Sequence, residues 1–280
     1  MAETIDLQPD DRQLIRLLGG TFLLLDDRQV GELFPGRSPK AFKERCARLV
    51  RAGYLNVRHP HEITRLGNIL YYLGPAGQKL LDPESQIPKV GSRAKQARSF
   101  SDADVPHLYL ANCVQIKFMA ARRQYSDFEL VSWIPQYAPL WMMLNRHGLA
   151  VRPDGFVRYG KNSRTFHAFI EVDRNTYRSH LPRRFEGYHR YAQSGRSGAH
   201  LSAAHFRVLF ITVSQSRMNA LLRLASTYPP DLFWVTTVKE FLARPLFEPQ
   251  WRSPSSSCLH GLDEPTAPVP LPPDLPTMLA

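Results

Sequence analysis

Three acidic residues raise the first chemical question. Asp154 lies in the run Arg152-Pro153-Asp154-Gly155, and Glu171 and Asp173 flank Val172. The stretches 151–159 and 165–173 read as strands, and Gly160-Lys161-Asn162-Ser163 between them reads as a hairpin turn. Alternate residues of a strand share a face, so Phe169, Glu171 and Asp173 point one way while Ala168, Ile170 and Val172 point the other. Two carboxylates that close repel each other and need a compensating cation, either a metal ion or guanidinium groups. With Asp154 across the hairpin, the set offers three hard oxygen ligands of the kind Mg²⁺ takes. An ion so held would polarise a phosphodiester and activate water. Arg183 and Arg184 follow on the next predicted helix, 182–193. An arginine stays protonated, so Arg184 would clamp a phosphate rather than act as a base. The same residues also allow a bland reading, in which the acids sit beside arginines in a domain that binds without cutting.

A second feature is cationic. The 280-residue chain carries a net charge of +11, and residues 35–98 hold thirteen Lys and Arg against four acids. A charge that concentrated points to a polyanion as partner. Within it, Ser38-Pro39 sets an N-cap and an N1 proline ahead of a helix running to about Arg51. Phe42, Cys46, Leu49 and Val50 fall on one side of that helix. Lys40, Lys43 and Arg51 project to the other, with Arg48 flanking. One face in a core and a basic face outside is what insertion into the major groove of double-stranded DNA requires. Residues 54–57 and 69–73 read as a hairpin whose tip, 58–68, carries Arg58 and Arg65 toward the same duplex.

These residues need elements to hold them. The order from residue 10 to 81 reads helix, strand, helix, helix, hairpin, helix, which is a winged helix-turn-helix. Asp10 is the predicted N-cap of the first helix, and Asp26 or Asp27 that of the second. Residues 82–106 read as a basic linker. A helix apolar on almost all sides, 108–121, opens a second domain expected over 107–246. Strands at 128–133, 151–159, 165–173, 206–213 and 232–236 alternate there with helices, the pattern of an α/β domain with a mixed sheet. The chain as a whole is thus α/β, or α+β when both domains are taken together. Residues 247–280 are rich in proline and serine and are expected to be disordered.

Several function classes find little support. No apolar run approaches the roughly 20 residues that cross a bilayer, and the N-terminus is acidic and polar, so a cytoplasmic protein without membrane contact is expected. Cys46, Cys113 and Cys258 are too scattered for a zinc site or a disulfide framework. The chain holds no phosphate-binding loop of ATPase type. His59-Pro60-His61 near Tyr71 and Tyr72 has the residue types of a tyrosine relaxase, but flanking a proline in a hairpin tip it lacks that site's strand context. His107 and Asn112, on or beside the apolar helix, read as groups that satisfy backbone or cap the helix, with the acidic site as the other place they could reach.

The Pro-Asp and acid-x-acid spacing resembles that of restriction-endonuclease-like nucleases, with Asp173 where those carry lysine. Read whole, residues 10–243 resemble the replication-relaxation family of plasmid- and phage-borne proteins. The likeness rests on Leu33-Phe34-Pro35-Gly36, on 49–55 and on Leu73-Gly74-Pro75-Ala76-Gly77 in the first part. In the second it rests on 130–135, Val151-Arg152-Pro153-Asp154-Gly155 and Ile170-Glu171-Val172-Asp173-Arg174. The resemblance implies a role in replication, relaxation or mobilisation of DNA, with plasmid replication or relaxase proteins as partners. A homodimer is compatible with it. Two readings stay open: a Mg²⁺-dependent endonuclease using Asp154, Glu171, Asp173 and Arg184, and a non-enzymatic regulator whose second domain binds or recruits.

Overall fold

The computed structural model describes residues 5–59, 69–81, 95, 97, 98, 100–138, 140–146, 151–174, 180–203 and 205–265. The chain divides into two compact units, 1–120 and 121–280. Among the described residues no helix is long and apolar enough to cross a membrane.

The first unit runs α1 (Pro9–Gly20), β1 (Leu25–Asp26), α2 (Asp27–Leu33), α3 (Pro39–Arg51), β2 (Leu55–Arg58), β3 (Leu70–Leu73), α4 (Pro75–Leu81) and α5 (Val105–Ala121). Capping chemistry sets the helix starts. Asp26 caps α2 by accepting from the Gln29 N–H at 2.8 Å, while the Gln29 side chain accepts from the Asp26 N–H at 3.3 Å. Ser38 caps α3 through the Ala41 N–H, with Pro39 at the first helical position. The first helix starts earlier than expected. Gln8 rather than Asp10 stands at its cap, because Asp11 accepts from the Gln8 N–H at 2.7 Å.

The end of α3 requires glycine. Gly53 has φ +76°, and the Tyr54 N–H donates to Leu49 O at 2.9 Å while the Gly53 N–H donates to Val50 O at 3.0 Å. The chain thereby reverses into β2, which lies beside β3 in an antiparallel sheet of order β1-β3-β2. Leu14, Ile15 and Leu18 of α1 meet Phe42, Cys46 and Leu49 of α3 and Leu55, Tyr71 and Leu73 of the sheet in one core.

The helix α5 falls in the first unit, not at the head of the second domain as expected. Ile116 joins the first core, the Asn112 side chain donates to Leu24 O at 2.6 Å, and the Gln29 side chain donates to Tyr109 O at 2.9 Å. A helix apolar on all sides has no stripe to show which core it enters.

The second unit runs β4 (Phe128–Pro135), α6 (Leu140–Arg146), β5 (Gly155–Lys161), β6 (Arg164–Asp173), α7 (Leu181–Gln193), α8 (Arg196–Leu201), β7 (Arg207–Thr212), α9 (Gln215–Ala225), β8 (Phe233–Thr237) and α10 (Val238–Ala243). The sheet order is β4-β5-β6-β7-β8. The first three strands are antiparallel, and β6, β7 and β8 are parallel. The β5–β6 hairpin turns through Asn162 (φ 50°) and Ser163 (φ 60°) between the paired Lys161 and Arg164, a two-residue loop of the kind that matches strand twist. Phe156, Phe169, Phe210 and Phe233 pack from the sheet against Phe185, Tyr188 and Tyr191 of α7 and Met218 of α9. The short helices α6 and α8, of seven and six residues, have too few turns to show a period in the sequence.

The expectation of a disordered tail from 247 onward fails over residues 247–265. Trp251 and Leu262 are fully buried, and Phe247 is buried as well. Val235 of β8 and Arg252 exchange backbone hydrogen bonds at 2.9 Å in both directions, and the Tyr159 hydroxyl donates to Leu262 O at 2.7 Å. The Arg207 guanidinium lies 3.7 Å over the Trp234 ring and donates to Glu264 O and Pro265 O. The anchors are single aromatic and aliphatic residues among prolines and serines, so no periodicity announces them. Residues 266–280 lie outside the described residues.

Deleting 247–280 removes three large buried side chains, each contributing roughly 1.5–3 kcal/mol. The melting temperature should fall by about 10 °C or more. An unchanged melting curve would show that this segment adds nothing to the body.

Candidate functional site

On α3 the sequence places two surfaces back to back. Phe42, Cys46 and Leu49 are buried, and Lys40, Lys43, Arg48 and Arg51 are exposed. Arg45, on the same helix, faces differently. Its Nε donates to both Asp11 carboxylate oxygens at 3.0 and 3.1 Å, and its Nη2 donates to Asp6 O at 2.6 Å. Asp11 raises the Arg45 pKa through that hydrogen bond, against the opposing effect of burial. Arg45 therefore fastens α3 to α1, and the outward cations are the other four. Lys43 keeps only a 4.0 Å approach to Asp27 and is 62% exposed at the side chain, so it remains open to a ligand.

Arg58 of the hairpin is less open than expected. Arg58 is tied to Asp102 and to Ala97 O, and only about a fifth of its side chain meets solvent. It is an internal link of the first unit rather than an open phosphate contact. Its place at the end of β2 turns it toward the segment before α5, which the sequence alone did not bring near. Arg65 and His61 lie outside the described residues.

In the second unit the acids take positions that strand register explains. Glu171 and Asp173 end β6, facing the side of the sheet that α7 and α9 cover. Glu171 is fully buried. Its Oε2 accepts from Arg184 Nη1 at 2.8 Å and its Oε1 accepts from the Tyr188 hydroxyl at 2.5 Å. Arg184 and Tyr188 are four apart, one turn of α7, so one helix face closes on one carboxylate. Asp173 takes the fork of Arg217, with Nε at 2.5 Å from Oδ2 and Nη2 at 3.0 Å from Oδ1. Thr212 adds its hydroxyl to the Asp173 carbonyl at 3.1 Å. Asp154 stands before β5 and bridges the hairpin. Its N–H donates to Ile170 O at 3.0 Å and its Oδ2 accepts from the Val172 N–H at 2.7 Å.

The electrostatics follow from those pairs. Glu171 raises the Arg184 pKa, against burial, with Asp154 adding to the effect. Burial first, and then the Glu171 charge, push the Tyr188 hydroxyl well above its ordinary pKa, so it stays a neutral donor.

The three carboxylates do not fit a shared Mg²⁺ in this arrangement. Each is committed to a different donor, and two of the donors are cations already. Among the described residues no group of three or more His, Cys, Asp and Glu is placed to hold a metal ion. Of the two ways to compensate acids at the end of a strand, guanidinium groups are the one found. Sequence reasoning missed Tyr188 and Arg217. Tyr188 carried a signal, since it follows Arg184 by four, whereas Arg217 stands on the helix after β7, 44 residues from Asp173.

A family model described as replication-relaxation matches residues 22–203. No curated protein matches significantly. Among solved structures, the restriction endonuclease FokI matches with 11% sequence identity, covering 84% of this chain and 42% of that one, at a TM-score of 0.31. That score falls short of a shared fold, and the chain spans under half of the endonuclease.

Two outcomes are expected of this site. Glu171→Gln should cost about 1–3 kcal/mol in urea unfolding, because it leaves the Arg184 cation without its counter-charge. Mn²⁺ should leave the melting curve of the unsubstituted protein unchanged. A metal-induced rise that Glu171→Gln abolishes would show instead that the carboxylates turn to take an ion. His167 gives a pH test on the same strand. Burial, then the Arg158 charge across the hairpin, hold its pKa below 6.5. The unfolded ring takes up protons first, so stability present above about pH 6.5 is lost as pH falls toward the folded value. His167→Gln should flatten that acid slope, and an unaltered slope would assign it to other groups.

Proposed function

The chain belongs to the replication-relaxation family, and on that premise we propose that it is a DNA-binding protein of plasmid or phage replication and relaxation, docking on duplex DNA through α3. The observation that carries this reading is the face of Lys40, Lys43, Arg48 and Arg51, all exposed on a helix whose opposite side is a core. The helix order around it, with the β2–β3 hairpin following α3, supports a winged helix-turn-helix, in which α3 enters the major groove. Such cations release counterions from phosphate, which gives affinity and positioning before any base is read.

The second unit is read as a restriction-endonuclease-like domain that binds rather than cuts. Support comes from Asp154, Glu171 and Asp173 standing in nuclease order on one hairpin while Arg184 and Arg217 take up the two buried acids. This favours the regulator over the Mg²⁺-dependent endonuclease. Replication or relaxase proteins of the same replicon are the partners this role calls for.

Full-length protein should bind duplex DNA with a log–log salt slope of about −0.9 per neutralised phosphate. Replacing Lys40, Lys43, Arg48 and Arg51 by alanine should lower that slope by up to about 3.6 and weaken binding across sequences. Supercoiled plasmid should stay intact with Mg²⁺ or Mn²⁺. Salt-independent binding, or an alanine variant that binds like its parent, would sink the α3 assignment. Metal-dependent nicking lost in Glu171→Gln would restore the endonuclease.

A further inference from the structure

Parallel strands bring their carboxyl ends to one edge of a sheet, and the helices that follow them begin there. At the edge formed by β6 and β7, α9 starts three residues after Thr212 and α7 eight residues after Asp173. Their first-turn N–H groups carry the partial positive charge of helix N-termini. What distinguishes this edge is how its ionised groups sort by depth. Glu171 is 0% exposed and Asp173 is nearly as buried, and both are fully hydrogen-bonded to cations or hydroxyls of the chain. The Arg184 side chain is 40% exposed, His180 and Arg183 close to it in the chain are exposed, and so is Arg174, the residue after Asp173. Asp154, half-buried, has an oxygen engaged by the Val172 N–H. The acids therefore lie inside, and cations meet solvent.

Arg184 is built for a second partner. Among the described residues its side chain bonds Glu171 through Nη1 alone. A guanidinium presents its donors in a planar fork, so anchoring one nitrogen on a buried carboxylate fixes the direction of the others. A group preset in this way loses little rotamer freedom when a phosphate oxygen arrives.

We infer that this edge of the second unit is a separate contact site for the phosphodiester backbone of DNA, with Arg184 as the anchored cation and Arg183 and Arg174 flanking it, and that it works without a divalent ion. Glu171 is a positioning residue here, since it holds Arg184 and does not meet the ligand. The site goes beyond α3 docking and rests only on the reading that DNA is the partner. It also explains an acid set in nuclease order that carries arginines where an ion would sit.

The test uses full-length protein and a duplex oligonucleotide, with each titration run with and without EDTA. Arg184→Gln should lower the log–log salt slope by about 0.9, one phosphate contact. A merely structural role would shift the melting temperature and leave that slope alone. Where Arg184→Gln alone unfolds, Glu171→Gln combined with Arg184→Gln removes both charges, keeps neutral hydrogen bonds and must show the same slope loss. Arg183→Gln and Arg174→Gln, at exposed positions, should each lower the slope with no change in melting. The same substitutions in the protein lacking the four α3 cations separate the two sites. If α3 fails, its variant binds like the parent while Arg184→Gln still loses slope. Slopes unchanged in Arg183→Gln, Arg174→Gln and a folded Arg184 variant would overturn the inference, and so would binding at this edge that EDTA abolishes.

Discussion

The second unit is organised around the buried negative charge of Glu171. Glu171 sits at zero exposure in the middle strand of a five-stranded sheet, where an unpaired carboxylate would cost several kcal/mol. The chain meets that cost with two donors one helical turn apart, Arg184 and Tyr188. This fixes the rotation of α7 about its own axis and the level at which it crosses β6. Phe185 and Tyr191, on the same helix, then meet Phe210 and Phe206 of or beside β7. Apolar packing alone tolerates small rotations of a helix, whereas an ion pair with a hydroxyl on the second oxygen does not.

The same constraint explains the chemistry. Acids at the end of a strand need positive charge, and an ion or arginines will serve. Once Arg184 and Arg217 occupy the carboxylates, an entering cation would have to displace a guanidinium from a low-dielectric site. A phosphate meets the opposite circumstance, because it approaches the outer side of a guanidinium already held in place. The first unit shows a parallel division of labour. Arg45 on Asp11 and Arg58 on Asp102 hold elements together, while Lys40, Lys43, Arg48 and Arg51 lie on the exposed face of α3. In both units arginine serves the architecture as well as the surface, so a count of basic residues overstates what is open to DNA.

Much of this was legible beforehand where a local rule applied. Ser38-Pro39 marked the start of α3, Gly160-Lys161-Asn162-Ser163 a hairpin that turns at its last two residues, and the alternation of 165–173 the shared face of Phe169, Glu171 and Asp173. Local rules failed where the partner lay far along the chain. Arg58 looked outward until Asp102, 44 residues on, was found beside it, and Arg217 lies 44 residues from Asp173. The sequence marks α5 as a helix but not the core it enters, since uniform hydrophobicity has no direction. The segment after α10 read as disorder because prolines and serines outnumber Trp251 and Leu262, yet two such anchors with paired backbone suffice.

That segment also sets an order of events during synthesis. Among the described residues β8 pairs with the strand β7 on one side, and the backbone groups of Val235 on the other side are met by Arg252. Arg207 finds its carbonyl acceptors at 264 and 265. While the chain is still emerging from the ribosome, β8 therefore presents an unpaired rim and Arg207 a buried charge without its acceptors. The β8 rim stays open to strand pairing with other nascent chains until about 20 more residues beyond α10 have emerged.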